Sequence, residues 1–454
     1  MPNRLHVWSL ASLVIALAGC GGRGCSGSNA RDDRRTNRPA NARSASVDAG
    51  RGANPTAAPT PANAPFMTLT TVDASTAQVG SVREGANLLG VELYGRLRAA
   101  QGNVMLSPTG IAASFAMAAG GARGETLTEM RRVLHHTGDA TALHQVLGEE
   151  VVGWRHGDAG DAGDGGFMRF AQRLYAPEGL DFVGDFTDLT MHAYRASFDR
   201  VDFRNADAAR ARINAWTSGQ TDGRIDDVVP ADGVTNASRM VLAGGLYLRV
   251  AWQRRFSLAQ TRVEAFQGSR PGQVSMMHLA GSFKYAAPEG VRVVELPLRE
   301  GNLVMDVILP TEAGGFEELD GSLTAQRIQT WLDALAPARV DVALPRFTIH
   351  PRASTALREH FEALGMTRAF DASAADFSGV AATRSASERL ALSAVYHRAI
   401  VVVTEYGDNG SPETPARPGA AGSTFRADRP FVFVVRDAHS GLFVLLGRVV
   451  DPAG

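Results

Sequence analysis

The segment from His397 to Phe431 constrains the fold more than any other part of the chain. It starts with an apolar run, Ala399 to Val403, and leads into a second apolar run, Phe431 to Val435. Both runs have the composition of fully buried strands. Small and polar residues, with prolines at 412, 415 and 418, fill most of the stretch between the runs. Long loops between two buried strands are uncommon and are usually functional or disordered, so a bait for another protein and a solvated tether are both consistent with the local sequence.

The composition limits both the size of the core and the chemistry available to it. The 454-residue chain is 44% hydrophobic and 20% charged, which suffices for one large core or two modest ones. The formal net charge of -1 gives no indication of nucleic-acid binding. The two cysteines, Cys20 and Cys25, both lie near the N-terminus. We therefore expect the folded part to have neither a disulfide nor a thiol for catalysis or metal binding.

The N-terminal segment has the features of an export signal. Arg4 provides a short basic region, and the apolar stretch from Val7 to Ala18 is too short to span a bilayer. Leu17-Ala18-Gly19-Cys20 resembles the bacterial lipobox, whose cysteine is lipidated on sulfur and becomes the mature N-terminus. We predict a lipoprotein signal peptide over residues 1–19 and lipidation of Cys20, with an ordinary secretory peptide as the alternative. We therefore expect an exported protein. It is either lipid-anchored at the bacterial cell envelope, on the outer membrane, or extracellular.

The remainder divides into a tether and a folded domain. Residues 20–79 are rich in Gly, Ala, Pro, Asn, Ser and Arg and nearly free of large apolar residues, which predicts disorder. Residues 80–454 interleave short apolar strands and amphipathic helices without a regular strand–helix alternation. This pattern favours an α+β fold with large, mostly antiparallel sheets over a doubly wound one. The strand candidates are 167–175, 239–249, 291–298, 302–309, 340–349, 390–396, 399–404, 431–436 and 442–449. The helix candidates are 87–100, 109–119, 127–134, 139–152, 184–194, 206–219, 323–334 and 353–364.

Two stretches resemble ligand-binding loops, but neither has the required spacing. The glycine-rich turn at 120–126 lacks the Lys-Ser/Thr ending of a phosphate-binding loop. Asp158, Asp161 and Asp164 provide three carboxylates, yet their spacing fits neither the EF-hand nor the nonapeptide calcium pattern. We therefore predict that the aspartate-containing stretch is a flexible surface insertion. For the chain as a whole we predict no metal site and no cofactor. The chain also lacks GxSxG, HExxH and a cysteine nucleophile, so we predict that it is not an enzyme.

A series of short motifs over about residues 82–452 resembles the serpin family. Each motif alone is weak, but together they follow the family's order through the whole predicted domain. The most informative are Asn103-x-x-x-Ser107-Pro108, Ile213-Asn214-Ala215-Trp216, Trp252, Leu344-Pro345-Arg346-Phe347, His397-Arg398-Ala399 and Asp428-Arg429-Pro430-Phe431. The resemblance implies three mostly antiparallel β-sheets, eight or nine helices and an exposed reactive centre loop, which corresponds here to about residues 405–424.

The resemblance also implies a serine protease inhibitor that acts as a suicide substrate. In the family, a protease attacks the loop and forms an acyl-enzyme, and the loop then inserts as a new strand into the central sheet. Counts forward from Gly407 and back from Phe425 give two positions for the scissile bond. The scissile candidates are Ala421 and Gly422 by the first count, and Ala416 and Arg417 by the second. Small residues there suit elastase-like or subtilisin-like serine proteases, with cysteine proteases as a further class.

The hinge that begins the loop departs from the family pattern of a Glu, a Gly two residues on, a Thr or Ser, and then alanines. Glu405 and Gly407 match that pattern, but Asp408 replaces the Thr or Ser. The alanines are replaced by Asn409-Gly410-Ser411-Pro412-Glu413-Thr414-Pro415. Side chains alternate along a strand, so Asp408, Gly410, Pro412 and Thr414 share the face that the family register turns inward.

These departures make insertion less favourable. Burying an unpartnered carboxylate costs several kcal/mol, and each buried proline leaves a carbonyl unpaired at about 1–3 kcal/mol. Together these costs approach the roughly 5–15 kcal/mol by which ordinary domains are stable. The hinge therefore supports an alternative function, a non-inhibitory serpin that serves as a binding or structural module.

The resemblance assigns three further residues to the region where the central sheet opens. They are Ser107, His397 and Trp252. An Asn and a Ser that complete the family's hydrogen-bonded cluster are replaced here by Gly244 and Gly110. A core histidine with a local partner is therefore the simpler interpretation of His397, and we predict no catalytic role for Ser107 or His397.

The partners that we expect are few. The helix candidate at 139–152 is acidic, so no polyanion site is predicted there. We predict a monomer that binds a protease through its loop, binds no nucleic acid and contacts membranes only through the lipid anchor.

Overall fold

The structure, a computed structural model, describes residues 74–156, 166–195, 198–299, 302–383, 385, 388–406 and 422–453. Nine α-helices lie within these ranges, and the first begins ahead of the boundary predicted at residue 80. They are α1 (Thr76–Leu97), α2 (Pro108–Ala119), α3 (Gly124–Val133), α4 (Ala140–His156), α5 (Gly184–Tyr194), α6 (Ala206–Gln220), α7 (Phe316–Gly321), α8 (Ala325–Asp333) and α9 (Arg358–Ala363). None of the helices in the described ranges combines the length and apolar character needed to cross a bilayer.

The described strands form three sheets. The strands are β1 (Val104–Leu106), β2 (Phe167–Pro177), β3 (Asp181–Phe182), β4 (Asp199–Val201), β5 (Met240–Arg249), β6 (Arg262–Phe266), β7 (Gly272–Ala286), β8 (Val291–Pro297), β9 (Leu303–Pro310), β10 (Ala336–Pro345), β11 (Phe347–Ile349), β12 (Thr355–Ala356), β13 (Ala381–Ala382), β14 (Leu392–Val403), β15 (Ser423–Arg426), β16 (Phe431–Asp437) and β17 (Phe443–Val449). The nine-stranded sheet has the order β1-β17-β16-β9-β8-β7-β10-β15, with β6 paired to β7. The six-stranded sheet has the order β11-β14-β5-β2-β4, with β12 paired to β14, and β3 pairs with β13.

Most neighbouring strands in the described chain are antiparallel. The parallel pairs are β2–β4, β5–β14 and β10–β15. The predicted α+β fold with three mostly antiparallel sheets and eight or nine helices is therefore confirmed.

Helix α2 shows how local sequence builds the core beneath the six-stranded sheet. Ser107 caps its N-terminus by accepting a hydrogen bond from the Gly110 N–H, and Pro108 occupies the first turn, where no amide hydrogen is needed. Every residue of α2 is buried, because the helix packs against α1 and α4 as well as against β2, β5 and β17. Its Phe115 ring stacks on Phe361 at a centroid distance of 3.7 Å.

Strand β14 is longer than the sequence predicted. The candidates 390–396 and 399–404 are one continuous strand that passes through the polar pair His397 and Arg398. Both side chains are buried but hydrogen-bonded. His397 accepts from the Ser107 N–H, and the Arg398 guanidinium donates to the carbonyls of Asp227 and Pro351. The polar residues interrupt the apolar run without interrupting the strand, since their partners lie far away in the sequence.

The strand predicted at 340–349 is wrong, because this segment forms two strands that belong to different sheets. The chain turns at Arg346, so that β10 belongs to the nine-stranded sheet and β11 to the six-stranded sheet. The Arg346 N–H remains bonded to the Ser275 carbonyl at 2.9 Å through this corner. The corner places the Arg346 side chain where the two large sheets meet.

Some helices and strands of the structure were not predicted from the sequence, and others begin or end at different residues from those predicted. No strand was predicted at β6 or β7, because their polar and glycine residues hide the alternation of a strand. The helix candidate 353–364 begins only at Arg358, because Thr355–Ala356 pairs with β14 instead. Similarly, the 87–100 candidate is the second half of α1, which begins at Thr76 after a Ser75 capping box.

Candidate functional site

The predicted reactive loop connects the two large sheets. It leaves β14, a central strand of the six-stranded sheet, and enters β15, an edge strand of the nine-stranded sheet. Residues 407–421 lie outside the described residues, and so does Cys20. The predicted hinge and scissile residues that fall there are Gly407, Asp408, Asn409, Gly410, Pro412, Thr414, Ala416, Arg417 and Ala421. The described site therefore consists of the six-stranded sheet from which the loop leaves and of the two anchors at the ends of the loop.

The six-stranded sheet is closed beside the start of the loop. Strands β5 and β14 pair directly in parallel from Leu392↔Met240 to Val402↔Arg249, with one irregularity near Leu392. The pairing continues past the ends of the strands, where the Val250 N–H donates to the Val402 carbonyl at 2.9 Å and the Trp252 N–H donates to the Tyr406 carbonyl at 2.9 Å. No strand of the described chain lies between β5 and β14.

Glu405 anchors the start of the loop. Only 5% of this residue is exposed, and its Oε1 accepts hydrogen bonds from Arg346 Nε at 2.6 Å and from Thr261 Oγ1 at 2.5 Å. Burial alone would raise the pKa of the Glu405 carboxyl, but the hydrogen bonds from Arg346 and Thr261 outweigh it and lower the pKa below its ordinary value. Glu405 is therefore a buried carboxylate whose charge is compensated.

Trp252 fills the space between the end of β5 and the start of the loop. Its indole N–H donates to the Thr404 carbonyl at 2.7 Å, its ring contacts Phe256, and its backbone pairs with Leu298. The residue is almost fully buried. Trp252 thus joins β5, the loop start and the nine-stranded sheet.

A second group of charges anchors the far end of the loop. Arg426 on β15 donates to Glu264 on β6 at 2.5 Å and to Asp428 at 3.0 Å. His278 on β7 lies 2.9 Å from the other oxygen of Glu264. The exposed Gly422 precedes β15 so close to β10 that an added Cβ would lie 3.0 Å from the Arg339 carbonyl oxygen.

One short segment contacts both ends of the loop. Residues 252–264 supply Trp252 and Thr261 to the loop start and Glu264 to the loop end. The loop is consequently fixed at both ends to the same connection between β5 and β7.

Ser107, at the start of α2, contacts His397 in the middle of β14. The Ser107 N–H donates to His397 Nε2 at 3.0 Å, and burial lowers the pKa of His397 to about 4, so the imidazole is neutral at pH 7. A Cβ added at Gly244 would lie 3.7–3.9 Å from the Ala171 carbonyl oxygen, Ser114 Oγ and His397 Nδ1, so a methyl group would fit there in ordinary contact. A Cβ at Gly110 would instead meet Ser107 Oγ at 2.8 Å.

The three residues predicted for the sheet-opening region form two separate groups. Ser107 and His397 are in contact, whereas Trp252 lies eight residues beyond Gly244, the β5 partner of His397. At about 3.3 Å per residue this is on the order of 26 Å along the strand. Trp252 belongs with Glu405 at the loop start.

The partners of Glu405 were not predicted as site residues. Arg346 lies 59 positions and Thr261 lies 144 positions from Glu405 in the sequence. A buried glutamate at a strand end is itself a signal that a cation must lie nearby, but the sequence does not say which one. Within the described residues, no group of three or more His, Cys, Asp or Glu side chains is arranged to hold a metal ion.

Comparisons with known proteins agree with this geometry. The model of the family Serpin (serine protease inhibitor) matches residues 84–452. An uncharacterised serpin-like protein of Thermococcus kodakarensis is 32% identical over 370 residues, which cover 80% of this chain and 83% of that protein. The leukocyte elastase inhibitor of Xenopus tropicalis is 31% identical, over 78% of this chain and 94% of the inhibitor.

A solved structure shows the same fold. The crystal structure of maspin superimposes with a TM-score of 0.74 at 22% identity, covering 83% of this chain and 100% of maspin. With the family model matched over most of the sequence and relatives above 30% identity, the chain belongs to the serpin family.

Proposed function

We propose that this serpin inhibits a protease as a suicide substrate, with residues of about 405–424 as the bait. The protease nucleophile attacks the carbonyl of the scissile residue, the amide C–N bond breaks, and the new α-amine leaves with the β15 side of the chain. The inhibitor contributes no catalytic group, because the protease supplies the nucleophile, the base and the oxyanion site. The acyl-enzyme is then held because the cleaved loop enters the six-stranded sheet.

The observation that carries this proposal is the direct parallel pairing of β5 and β14 beside the loop start. A loop that folds back from the end of β14 runs antiparallel to both strands. Its insertion would replace one parallel pair with two antiparallel pairs and add a complete set of backbone hydrogen bonds. Antiparallel pairs are slightly more stable per residue than parallel ones, so the closed sheet leaves free energy available for insertion.

The partner that we propose is a serine protease of elastase-like or subtilisin-like specificity, with cysteine proteases as a second class. The small residues Ala421 and Gly422, or Ala416, fit the narrow or shallow specificity pockets of such enzymes. The leukocyte elastase inhibitor among the relatives supports this choice. Arg417 is less suited to a trypsin-like protease because Pro418 follows it.

A second candidate function is a non-inhibitory serpin that serves as a binding or structural module. The observation that favours it is the hinge composition, since Asp408, Pro412 and Pro415 stand where insertion requires small residues with free amides. Slow insertion would leave the acyl-enzyme time to hydrolyse, and the chain would then be cleaved as an ordinary substrate.

Loop cleavage followed by thermal unfolding separates the two functions. The purified protein is nicked in the loop with subtilisin at a low ratio of protease to inhibitor, and its melting temperature is compared with that of the uncut protein. Insertion predicts a rise of tens of degrees, and an unchanged melting temperature would contradict it. Trapping then requires a band of the combined mass with an elastase on a denaturing gel. Insertion without such a band favours the non-inhibitory function.

For the location of the protein, we propose export and lipid anchoring through Cys20. The supporting observation is the Leu17-Ala18-Gly19-Cys20 motif after an apolar segment. An envelope anchor would keep the inhibitor near proteases that reach the cell surface, and the tether that precedes α1 would give the domain reach.

A further inference from the structure

Consecutive residues at the loop start are held on opposite sides of the seam between β5 and β14. Glu405 bonds to Arg346, in the corner that leads into β11, and β11 pairs with the edge of β14 that faces away from β5. Tyr406 instead contacts β5 and the residues just after it. The seam through which a strand would enter therefore separates the Arg346 contact of Glu405 from the contacts of Tyr406, and the Trp252 indole bridges it by donating to the Thr404 carbonyl at 2.7 Å.

Two contacts hold Tyr406 on the β5 side. Its carbonyl accepts a hydrogen bond from the Trp252 N–H at 2.9 Å, and its ring lies under the Arg249 guanidinium, 4.3 Å from the ring centroid. This distance is well within the range of a cation–π interaction. Tyr406 is 39% exposed, so more than a third of the residue remains open to solvent.

Opening of the seam must break one of these two sets of contacts, and the hydrogen bond from the Trp252 indole to the Thr404 carbonyl opposes it as well. Entry of a strand moves β5 and β14 from about 4.8 Å apart to about twice that spacing. The Cα atoms of Glu405 and Tyr406 stay about 3.8 Å apart, because the peptide link between them does not stretch. The buried carboxylate of Glu405 bonds to a guanidinium and a hydroxyl, whereas Tyr406 has one backbone bond and one half-exposed ring contact. The contacts of Tyr406 are the weaker set and break first.

We infer that Tyr406 is a positioning residue whose contacts with Arg249 and Trp252, here called the Tyr406 latch, limit how fast the loop enters the sheet. The inference rests on the proposed function, because it concerns the rate of that insertion. The latch keeps the uncleaved loop outside the sheet, and its release is part of the barrier to insertion.

Replacement of the ring tests the latch. Tyr406→Leu removes the cation–π contact and is expected to speed insertion after loop cleavage by about two- to fivefold. Arg249→Met should give a similar acceleration, and the double variant should be no faster than either single variant. Tyr406→Phe is the matched control, since it keeps the aromatic face and should insert at the wild-type rate. The rate is followed by stopped-flow tryptophan fluorescence after rapid cleavage with excess subtilisin.

The uncleaved protein provides a second measurement that does not depend on insertion. Hydrogen–deuterium exchange of the peptide that contains Trp252 should become about two- to fivefold faster in Tyr406→Leu and stay unchanged in Tyr406→Phe. Unchanged exchange in Tyr406→Leu overturns the latch, and so does a wild-type insertion rate in that variant. If cleavage of the wild-type protein does not raise its melting temperature, the proposed function is overturned instead. The effect of the latch on insertion is then overturned too, because no insertion occurs.

Discussion

The backbone N–H of Ser107 donates a hydrogen bond to Nε2 of His397 at 3.0 Å, and this bond joins the start of α2 to the middle of β14. It satisfies a buried amide with a buried imidazole, so it requires His397 to be neutral. The six-stranded sheet is therefore tied to the core through a group that titrates at moderately acidic pH.

Acidification is expected to weaken the fold through His397. Burial lowers its pKa to about 4, whereas an unfolded histidine has a pKa of about 6.5. Between these values the unfolded state binds the proton and the folded state does not. The contribution of His397 is therefore complete above about pH 6.5 and is lost as the pH falls toward 4, by up to about 3 kcal/mol. Urea unfolding at a series of pH values measures this slope.

A matched pair of variants tests whether His397 causes this dependence of stability on pH. His397→Gln can still accept from Ser107 and should reduce the loss of stability between pH 6.5 and 4.5. His192 is exposed on α5, and His192→Gln should leave the slope unchanged. His144, whose pKa burial also lowers to about 4, accounts for part of what remains. An unaltered slope in His397→Gln would contradict this account.

Removal of Arg346 should destabilise the start of the loop. Arg346→Ala leaves the buried Glu405 carboxylate with Thr261 as its remaining side-chain donor. Since 40% of the Arg346 side chain is exposed, water compensates in part, and we expect the free energy of unfolding to fall by about 1–2 kcal/mol. Arg204→Ala, at an ion pair on the surface, is the control and should have no measurable effect in the same urea titration.

Two adjacent glycines on β5 should respond oppositely to an added methyl group. A Cβ at Gly244 makes only ordinary contacts, so Gly244→Ala should stabilise the protein by about 0.4–1 kcal/mol through reduced freedom of the unfolded chain. A Cβ at Gly245 lies 2.9 Å from Cδ1 of the fully buried Ile225, so Gly245→Ala should destabilise by about 1–3 kcal/mol. Equal shifts in melting temperature would show that a methyl group does not fit beside His397.

The loop prolines should determine the outcome of an encounter with a protease. Replacing Pro412 and Pro415 together by alanine restores two backbone N–H groups to the segment that must pair within the sheet. The ratio of covalent complex to cleaved product should rise, as measured by densitometry after reaction with an elastase. Cleavage rates of free peptides with both sequences provide the control for altered recognition. A ratio that stays constant after this correction would mean that the prolines do not limit insertion.

Lipidation is predicted at Cys20 and not at the second cysteine. In a bacterial host fed radiolabelled palmitate, the wild-type chain and Cys25→Ala should both carry the label and sediment with membranes. Cys20→Ala should be unlabelled. Label retained by Cys20→Ala, or lost from Cys25→Ala, would contradict the assignment.

The sequence alone predicted the elements whose signals are local. Apolar runs specified β2, β5, β8, β9, β16 and β17 to within a few residues, because burial on both faces needs little more than apolar composition. Motif order also predicted the serpin fold and the position of the loop. The sequence predicted Glu405 as the start of that loop, although not the residues that hold it.

The tertiary structure decided which polar groups meet. Arg346 reaches Glu405 because the chain turns a corner between two sheets, and Glu264 reaches Arg426 across a separation of 162 residues. It also made β14 continuous through His397 and Arg398, whose partners lie on other elements. Periodicity reports only whether a side chain is buried, whereas an ion pair depends on where the packed core brings two distant segments together. For that reason both anchors of the loop, and the latch at Tyr406, became visible only in the folded chain.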